Sequence, residues 1–252
     1  MRKIGKNEER TALCLQNFNR EKTLKLLISN DAPVILDIGA NSGQSLLKFK
    51  QWWPEAEIHC FEPQEECWED LMTCRMRYNE ESIFINKCAV GEQALKEKVF
   101  YAHDIHSGLS GFNKINLQSK DSIDLAESRK NKNKSSDPYG KGLNKERMVS
   151  VIRLDDYARK SNLNKADLVK IDTQTHEVEV LLGMGDFLRR TKVVTCELKL
   201  YDYYEKTLSF TDVEKPLLEA GFSLYDIPHI AKNPMNGRTD WLDVIYVNNE
   251  LR

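Results

Sequence analysis

Val34-Ile-Leu-Asp-Ile-Gly-Ala-Asn-Ser-Gly-Gln44 decides how the rest of the chain is read. Val34 to Ile38 is apolar except for Asp37, the composition of a strand buried on both faces. Gly39 and Gly43 follow, and Ser45-Leu-Leu-Lys-Phe-Lys50 reads as the opening of a helix. A buried strand that enters a helix through a glycine turn is the ligand end of a doubly wound α/β sheet. Glycines let the main chain approach a ligand, and N–H groups at a helix start favour polar or anionic atoms.

Spacing separates the ligands such a turn can take. The dinucleotide fingerprint G-x-G-x-x-G requires glycine where Asn41 stands, whereas this chain has Asp37-x-Gly39-x-x-x-Gly43. A second predicted strand, Ile58-His-Cys-Phe61, ends in Glu62-Pro63. That is about 20 residues beyond the turn, the interval at which an acid reaches ribose hydroxyls. A glycine turn without the pyrophosphate pattern, plus a ribose acid, fits a nucleoside without phosphates and points to S-adenosylmethionine. Asp37 is then expected near its amino-acid end, with Gly39, Ala40, Asn41, Gly43 and Gln44 along the turn. Glu62 is expected on the ribose, and Cys88 and Ala89 beside the adenine. The competing readings are a structural cap for Asp37 and a solvated strand end for Glu62.

With 252 residues, 40% apolar and 30% charged, the chain suits a single globular α/β domain over 1–252. The net charge of −2, from 37 basic and 39 acidic residues, provides no field to recruit nucleic acid. Met1-Arg-Lys-Ile-Gly-Lys6 is basic but leads into no apolar run, so no secretory signal is expected. No stretch reaches the ~18 apolar residues of a membrane span, and a cytoplasmic location is expected. The six cysteines form no C-x-x-C pair, so buried free thiols are expected rather than a zinc site.

Residues 1–32 read as a helical segment whose Leu13, Leu15, Phe18, Leu24 and Leu27 cover the sheet edge or the cofactor. Residues 65–78 read as a helix with Cys67, Trp68, Leu71, Met72 and Met76 as its core stripe. A third strand is expected from Ile83 onward through Cys88-Ala-Val90. Two extra strands, at 98–101 and 148–153, flank a polar insert at 103–147, expected to be a lid or a disordered insert. Its charge run, with Asp137-Pro-Tyr-Gly140 as a turn, is read as solvated, with a basic patch for a phosphorylated substrate as the alternative. Later come a helix at 154–161, a buried strand at 166–171 ending at Asp172, and a helix at 176–182 with Val178, Leu181 and Leu182 inward. A strand at 193–198 and a helix at 211–220 ended by Gly221 follow, then an antiparallel pair at 222–225 and 241–247. That closing pair, like Asn41, argues against a nicotinamide oxidoreductase.

The chain resembles the FkbM family of S-adenosylmethionine-dependent methyltransferases over about residues 33–247. The resemblance is carried by the Val34–Gly43 stretch, Phe61-Glu-Pro63, Ala89-Val-Gly91, Arg153-Leu-Asp-Asp-Tyr157 and, above all, Leu168-Val-Lys-Ile-Asp-Thr-Gln-Thr-His-Glu177. The family pattern has glycine where Thr175 stands. The resemblance implies a Rossmann-like class I fold, with a seven-stranded, mostly parallel sheet, an antiparallel last strand and helices on both faces. It also implies O-methylation of a hydroxyl on a sugar or a natural product. It carries Gly39 and Gly43 over as turn glycines, Glu62 as the ribose acid, and Asp172, His176 and Glu177 as the block near the methyl group.

Methyl transfer is an in-line displacement, so the protein must mainly hold acceptor oxygen, methyl carbon and sulfur in line. A sugar hydroxyl is a poor nucleophile, and a base beside it helps. His176 is expected to accept the proton and Asp172 to orient it or the hydroxyl; the competing reading makes His176 a helix cap. Glu197, Tyr201, His103, His106 and Ser110 are further candidates for lining the acceptor site. Asp172, His176 and Glu197 match no recognised ligand set, so no metal is expected. The acceptor is read as a glycan, with another small molecule or a non-catalytic cofactor-binding domain as alternatives, and a homo-oligomer is left open.

Overall fold

The computed structural model describes residues 7–78, 80–103, 106–119, 142–234 and 236–251. Two helices, α1 (Asn7–Asn17) and α2 (Arg20–Ile28), lead into β1 (Val34–Ile38). Then come α3 (Gln44–Trp52), β2 (Glu57–Phe61), α4 (Glu65–Arg75), β3 (Ile83–Asn86), β4 (Ala89–Val90) and β5 (Leu95–Ala102). The second half runs β6 (Lys145–Ile152), α5 (Leu154–Lys160), β7 (Ala166–Ile171), α6 (Glu177–Met184) and β8 (Thr191–Lys199). It closes with α7 (Phe210–Glu219), β9 (Phe222–Lys232) and β10 (Thr239–Asn248).

The main sheet has seven strands in the order β3-β2-β1-β7-β8-β10-β9. All neighbours are parallel except β10, which runs antiparallel to both β8 and β9. Alternation along β1 divides the core. Leu36 and Ile38 pack with Val180, Leu181 and Val213 of α6 and α7, while Ile35 packs with Leu24, Leu46 and Leu71 of α2, α3 and α4. Helices therefore cover both faces, as a largely parallel sheet requires. No helix among the described residues is long and apolar enough to cross a membrane.

Several local expectations are corrected. The leading segment is not one covering helix. It breaks at Asn19, whose side chain accepts the Lys22 N–H and caps α2, and α1 buries no residue. Leu13, Leu15 and Phe18 are accordingly exposed, and only α2 lies on the sheet. In α4 the inward positions are Cys67, Leu71 and Cys74, so Met72 and Met76 point to solvent. In α6 the buried positions include Glu177, Val180, Leu181 and Met184, which leaves Leu182 exposed and Val178 half-buried.

The third strand does not run through to Val90. Asn86 ends it by donating from Nδ2 to the Cys60 carbonyl and to the Tyr157 hydroxyl. The chain then enters a separate three-stranded sheet, β4-β6-β5, in which Ala89 pairs with Val151. Part of the expected lid is packed down. Gly111 bridges to Tyr101 and Ile115 to Tyr204, and Ile115 is buried with Tyr203 and Tyr204. Residues 104–105 and 120–141, with the Asp137–Gly140 turn and most of the charge run, lie outside the described residues.

Lys50 fastens α3 to the segments that lead into β2 and β3. It is only 1% exposed, and its Nζ donates to the carbonyls of Pro54 and Ala56 and to Ser82 Oγ, at 2.7–3.0 Å. Lys50→Met is expected to leave these acceptors unmet and to lower the unfolding free energy by about 2–4 kcal/mol in urea titration. A change within about 0.5 kcal/mol, as at an ordinary surface site, would contradict this account.

Candidate active site

The strand order reverses between β1 and β7, and ligands of open α/β sheets bind outside the carboxyl ends at such a point. The two strand ends are joined closely there. Asp172 N–H donates to the Ile38 carbonyl at 3.0 Å, and a Cβ added to Gly39 (φ 80°) would stand 2.1 Å from the Asp172 carbonyl oxygen. No side chain fits at Gly39. Two cavities open from this junction, and Asp172 lines both.

The first cavity is a cleft on the β2 side. Phe61, Ala89, Val90, Phe100 and Phe112 give it an apolar end, with Phe100 and Phe112 edge-to-face at 5.3 Å. Glu62 lines it while 2% exposed. Its Oε2 accepts the Asn41 N–H, and its Oε1 accepts the N–H and Nε2 of Gln64. Burial pushes its carboxyl above the usual glutamate value, opposed by these donors. Asn41 takes φ 46° and exchanges hydrogen bonds with the Ser107 hydroxyl, closing the polar rim.

Of the residues expected at the cofactor, Gly39, Asn41, Glu62 and Ala89 line this cleft. Ala40 is packed in the core, and its N–H, like that of Gly39, is taken by the Phe61 carbonyl. Gly43 faces the Cys74 side chain, and Gln44 is the exposed first residue of α3. Cys88 packs against the core on the α5 side, and burial pushes its thiol up to about 11. Of the two residues expected beside the adenine, Ala89 lines the cleft and Cys88 does not, and Val90 lines it next to Ala89.

The second cavity, of about 350 Å³, lies on the β8 side. Asp172, Thr195, Glu197 and Asp243 line it from the sheet, Phe49 and Trp52 from α3, and Arg20 from the start of α2. Arg20 pairs with Asp243 at 3.0 Å and Lys199 with Glu197 at 2.6 Å. Burial and then the nearby Asp172 push the Glu197 carboxyl up, against the pull of Lys199. Lys170 lines the same cavity, with its Nζ 2.9 Å from the Gly39 carbonyl, 3.1 Å from Asp37 Oδ1 and 3.6 Å from Asp172 Oδ2. Burial works against its charge, but Asp37 and Asp172 hold its pKa above the usual lysine value.

The other acceptor-side candidates do not converge. Ser110 lines the first cleft. His103 and His106 line a third hollow beside Glu66 and Asp70, with His103 Nδ1 accepting the Asn144 N–H. Tyr201 packs against Tyr203 and under the Arg238 guanidinium, lining neither of the two cavities.

His176 departs most from expectation. It sits at the N-terminal cap of α6, 2% exposed, its ring 4.4 Å from that of Phe112 and its Nδ1 3.4 Å from Glu179 Oε2. It lines neither cavity, and burial pushes it down to about 4. The cause is the turn before it, where Gln174 (φ 55°) and Thr175 (φ 71°) are both left-handed. A β-branched residue is strained in that region, which accounts for the glycine of the family pattern at Thr175. Here Asn113 Nδ2 holds the turn by donating to both Thr175 Oγ1 and its carbonyl. Gln174 returns to the site, its Nε2 donating to Asp172 Oδ1 and its Oε1 accepting the Tyr204 hydroxyl.

Sequence reading missed Lys170, Gln64, Ser107, Phe100, Phe112, Trp52 and Gln174. Only Lys170 carried a signal, as a charge inside an apolar strand. Among the described residues no group of three or more His, Cys, Asp or Glu is placed to hold a metal ion.

A family model described as "Methyltransferase FkbM domain" matches residues 37–224. The chain is 28% identical over 184 residues to the "2-O-methyltransferase NoeI" of Sinorhizobium fredii, spanning 72% of this chain and 70% of that protein. It is 27% identical over 162 residues to "Methyltransferase 1" of Beauveria bassiana, spanning 62% of this chain and 60% of that one. A superposition on the fibrillarin of Aeropyrum pernix with bound S-adenosyl-L-methionine gives a TM-score of 0.45 at 13% identity, covering 90% of this chain and 74% of that one.

Glu177 lies beneath the strained turn, 1% exposed. Its Oε1 accepts from the N–H and hydroxyl of Thr173, and its Oε2 has no hydrogen-bond partner among the described residues. Burial pushes its carboxyl from 4.5 up to about 7. Between those values the folded chain keeps a proton that the unfolded chain has lost, so Glu177 makes stability fall as pH rises through this window. Glu177→Gln is expected to flatten that decline and to raise the melting temperature at pH 8. Parallel pH–melting curves for parent and variant would sink the assignment.

Proposed function

The chain belongs to the FkbM family of S-adenosylmethionine-dependent methyltransferases, and we propose that it methylates a carbohydrate hydroxyl. The observation that carries this reading is Asp172, a carboxylate lining both a cleft with an apolar end beside the buried Glu62 and a cavity of polar and aromatic groups. Carboxylates and cations that accept and donate several hydrogen bonds, beside the rings of Phe49 and Trp52, suit a ligand rich in hydroxyls with apolar ring faces. The 2-O-methyltransferase among the relatives supports transfer to oxygen.

The first cleft fits the cofactor chemically. A buried carboxylate, Glu62, faces it where ribose hydroxyls would donate, and apolar side chains and two phenyl rings would flank a flat base. The turn at Gly39, which no Cβ can enter, would carry the amino-acid end toward Asp172. S-Adenosylmethionine supplies a methyl group on a sulfonium leaving group. The protein's part is to orient the acceptor and take its proton. Asp172 is the proton acceptor in this reading, with Gln174 Nε2 and Lys170 fixing its two oxygens and Glu197 binding a neighbouring hydroxyl.

The test is transfer of isotopic label from S-adenosylmethionine to a panel of methyl glycosides and sugar nucleotides, with phenols and lipids in parallel. Label found only on phenols or lipids would overturn the carbohydrate assignment. Asp172→Asn is expected to lower turnover by about 10²–10⁴ while S-adenosylhomocysteine still binds in calorimetry. Near-normal turnover in that variant would remove Asp172 as the base. Glu62→Gln is expected to weaken S-adenosylhomocysteine binding about tenfold or more, since its amide nitrogen no longer accepts from a ribose hydroxyl. Unchanged affinity would displace the ribose from this residue.

A further inference from the structure

Asp37 and Lys170 are direct partners in the β1–β7 register, at the centre of a parallel sheet. Asp37 is 0% exposed and Lys170 8%. A buried ion pair of this kind is seldom better for stability than apolar residues of the same size. Its presence between Leu36↔Val169 and Ile38↔Ile171, both apolar, therefore calls for a role at the site.

The geometry supplies one. The Lys170 side chain climbs the sheet to the carboxyl edge, where its ammonium meets the Gly39 carbonyl, Asp37 and Asp172. Two carboxylates and one ammonium leave one negative charge where the two cavities meet. The other charges lining the β8-side cavity are already matched, Arg20 by Asp243 and Glu197 by Lys199. Lys48 stands at its mouth, exposed to solvent and screened.

We propose that the Asp37–Lys170 pair is the positioning device of the transfer site. It joins the cofactor turn to Asp172 and sets the junction at a single negative charge. That charge complements the one positive charge of the sulfonium donor, which the thioether product lacks. The site then favours the donor over the product, and product release follows from the loss of attraction. Lys170 acts through Gly39 and Asp172 and takes no proton itself. The inference rests on the cofactor placement given under Proposed function.

The experiment compares S-adenosylmethionine with S-adenosylhomocysteine by calorimetry at pH 7.5 in the parent chain, Lys170→Gln, Asp37→Asn and Glu62→Gln. Asp37→Asn removes one negative charge while keeping the ammonium and is expected to shift the preference toward the product by about fivefold or more. Lys170→Gln removes the ammonium that opposes the burial-raised Asp37 carboxyl, so that carboxyl takes up a proton, Asp172 keeps the single negative charge, and the ratio is expected to stay within about twofold of the parent. A shift in Asp37→Asn that Lys170→Gln does not share is what a purely structural role would not produce, and Asp172→Asn, which leaves the same charge as Asp37→Asn, decides the matter if that variant does not fold. Equal weakening of both ligands in Asp37→Asn reduces the pair to a structural tie and overturns the proposal. An unchanged ratio there, with both ligands weakened in Glu62→Gln, overturns the charge proposal while leaving the cofactor placement standing. No effect in any of the three variants overturns that placement and the proposal with it.

Discussion

The ends of β1 and β7 touch, and the whole functional edge is built around that contact. Gly39 lies against the Asp172 carbonyl at a distance no Cβ tolerates, Asp172 N–H bonds the Ile38 carbonyl, and Lys170 spans from its strand to the Gly39 carbonyl. Because these strands belong to opposite halves of a doubly wound sheet, their junction divides the edge into a β2 side and a β8 side. The cleft and the cavity take their separate characters from that division. One inherits the apolar walls of β4, β5 and the loop after it. The other inherits charged residues of β8 and β10 and the aromatic face of α3.

Strain and uncompensated burial collect immediately behind the junction. Two consecutive left-handed residues, a carboxyl oxygen without a partner at Glu177 and a buried imidazole at His176 all fall within four residues of sequence, 174–177. Local rules are broken together there, which is the pattern expected of a functional segment rather than of scaffold. The same turn that buries His176 swings Gln174 onto Asp172, so the distortion serves to aim a donor at the carboxylate.

The strands of the main sheet were readable because buried parallel strands are short apolar runs, and 34–38, 166–171 and 193–198 are such runs. That Glu62 shares a cleft with the glycine turn was readable because its interval from that turn reflects the length of one helix and one strand. Helix faces were read less well. Methionine and leucine at helical spacing do not say which side meets the sheet, and Met72, Met76 and Leu182 fell on the outer side. The departure of the chain from the main sheet after Asn86 left no trace in hydropathy, because Cys88-Ala-Val90 is equally apolar in either sheet.

Local patterning by itself determined the α/β class, the glycine turn after β1 with Gly39 and Asn41, a carboxylate at the end of β2 in Glu62, and Asp172 at the end of its strand. These depend on periodicity and on spacing within one βα unit, which short-range sterics dictate. Only the tertiary structure decided which side chains share a cavity. It brought Trp52, Arg20 and Asp243 to the side of Asp172 and sent His103 and His106 to another hollow. It also turned His176 away from the site. Such choices depend on strand order and on backbone angles at a few residues, and neither is written in the order of the amino acids near them.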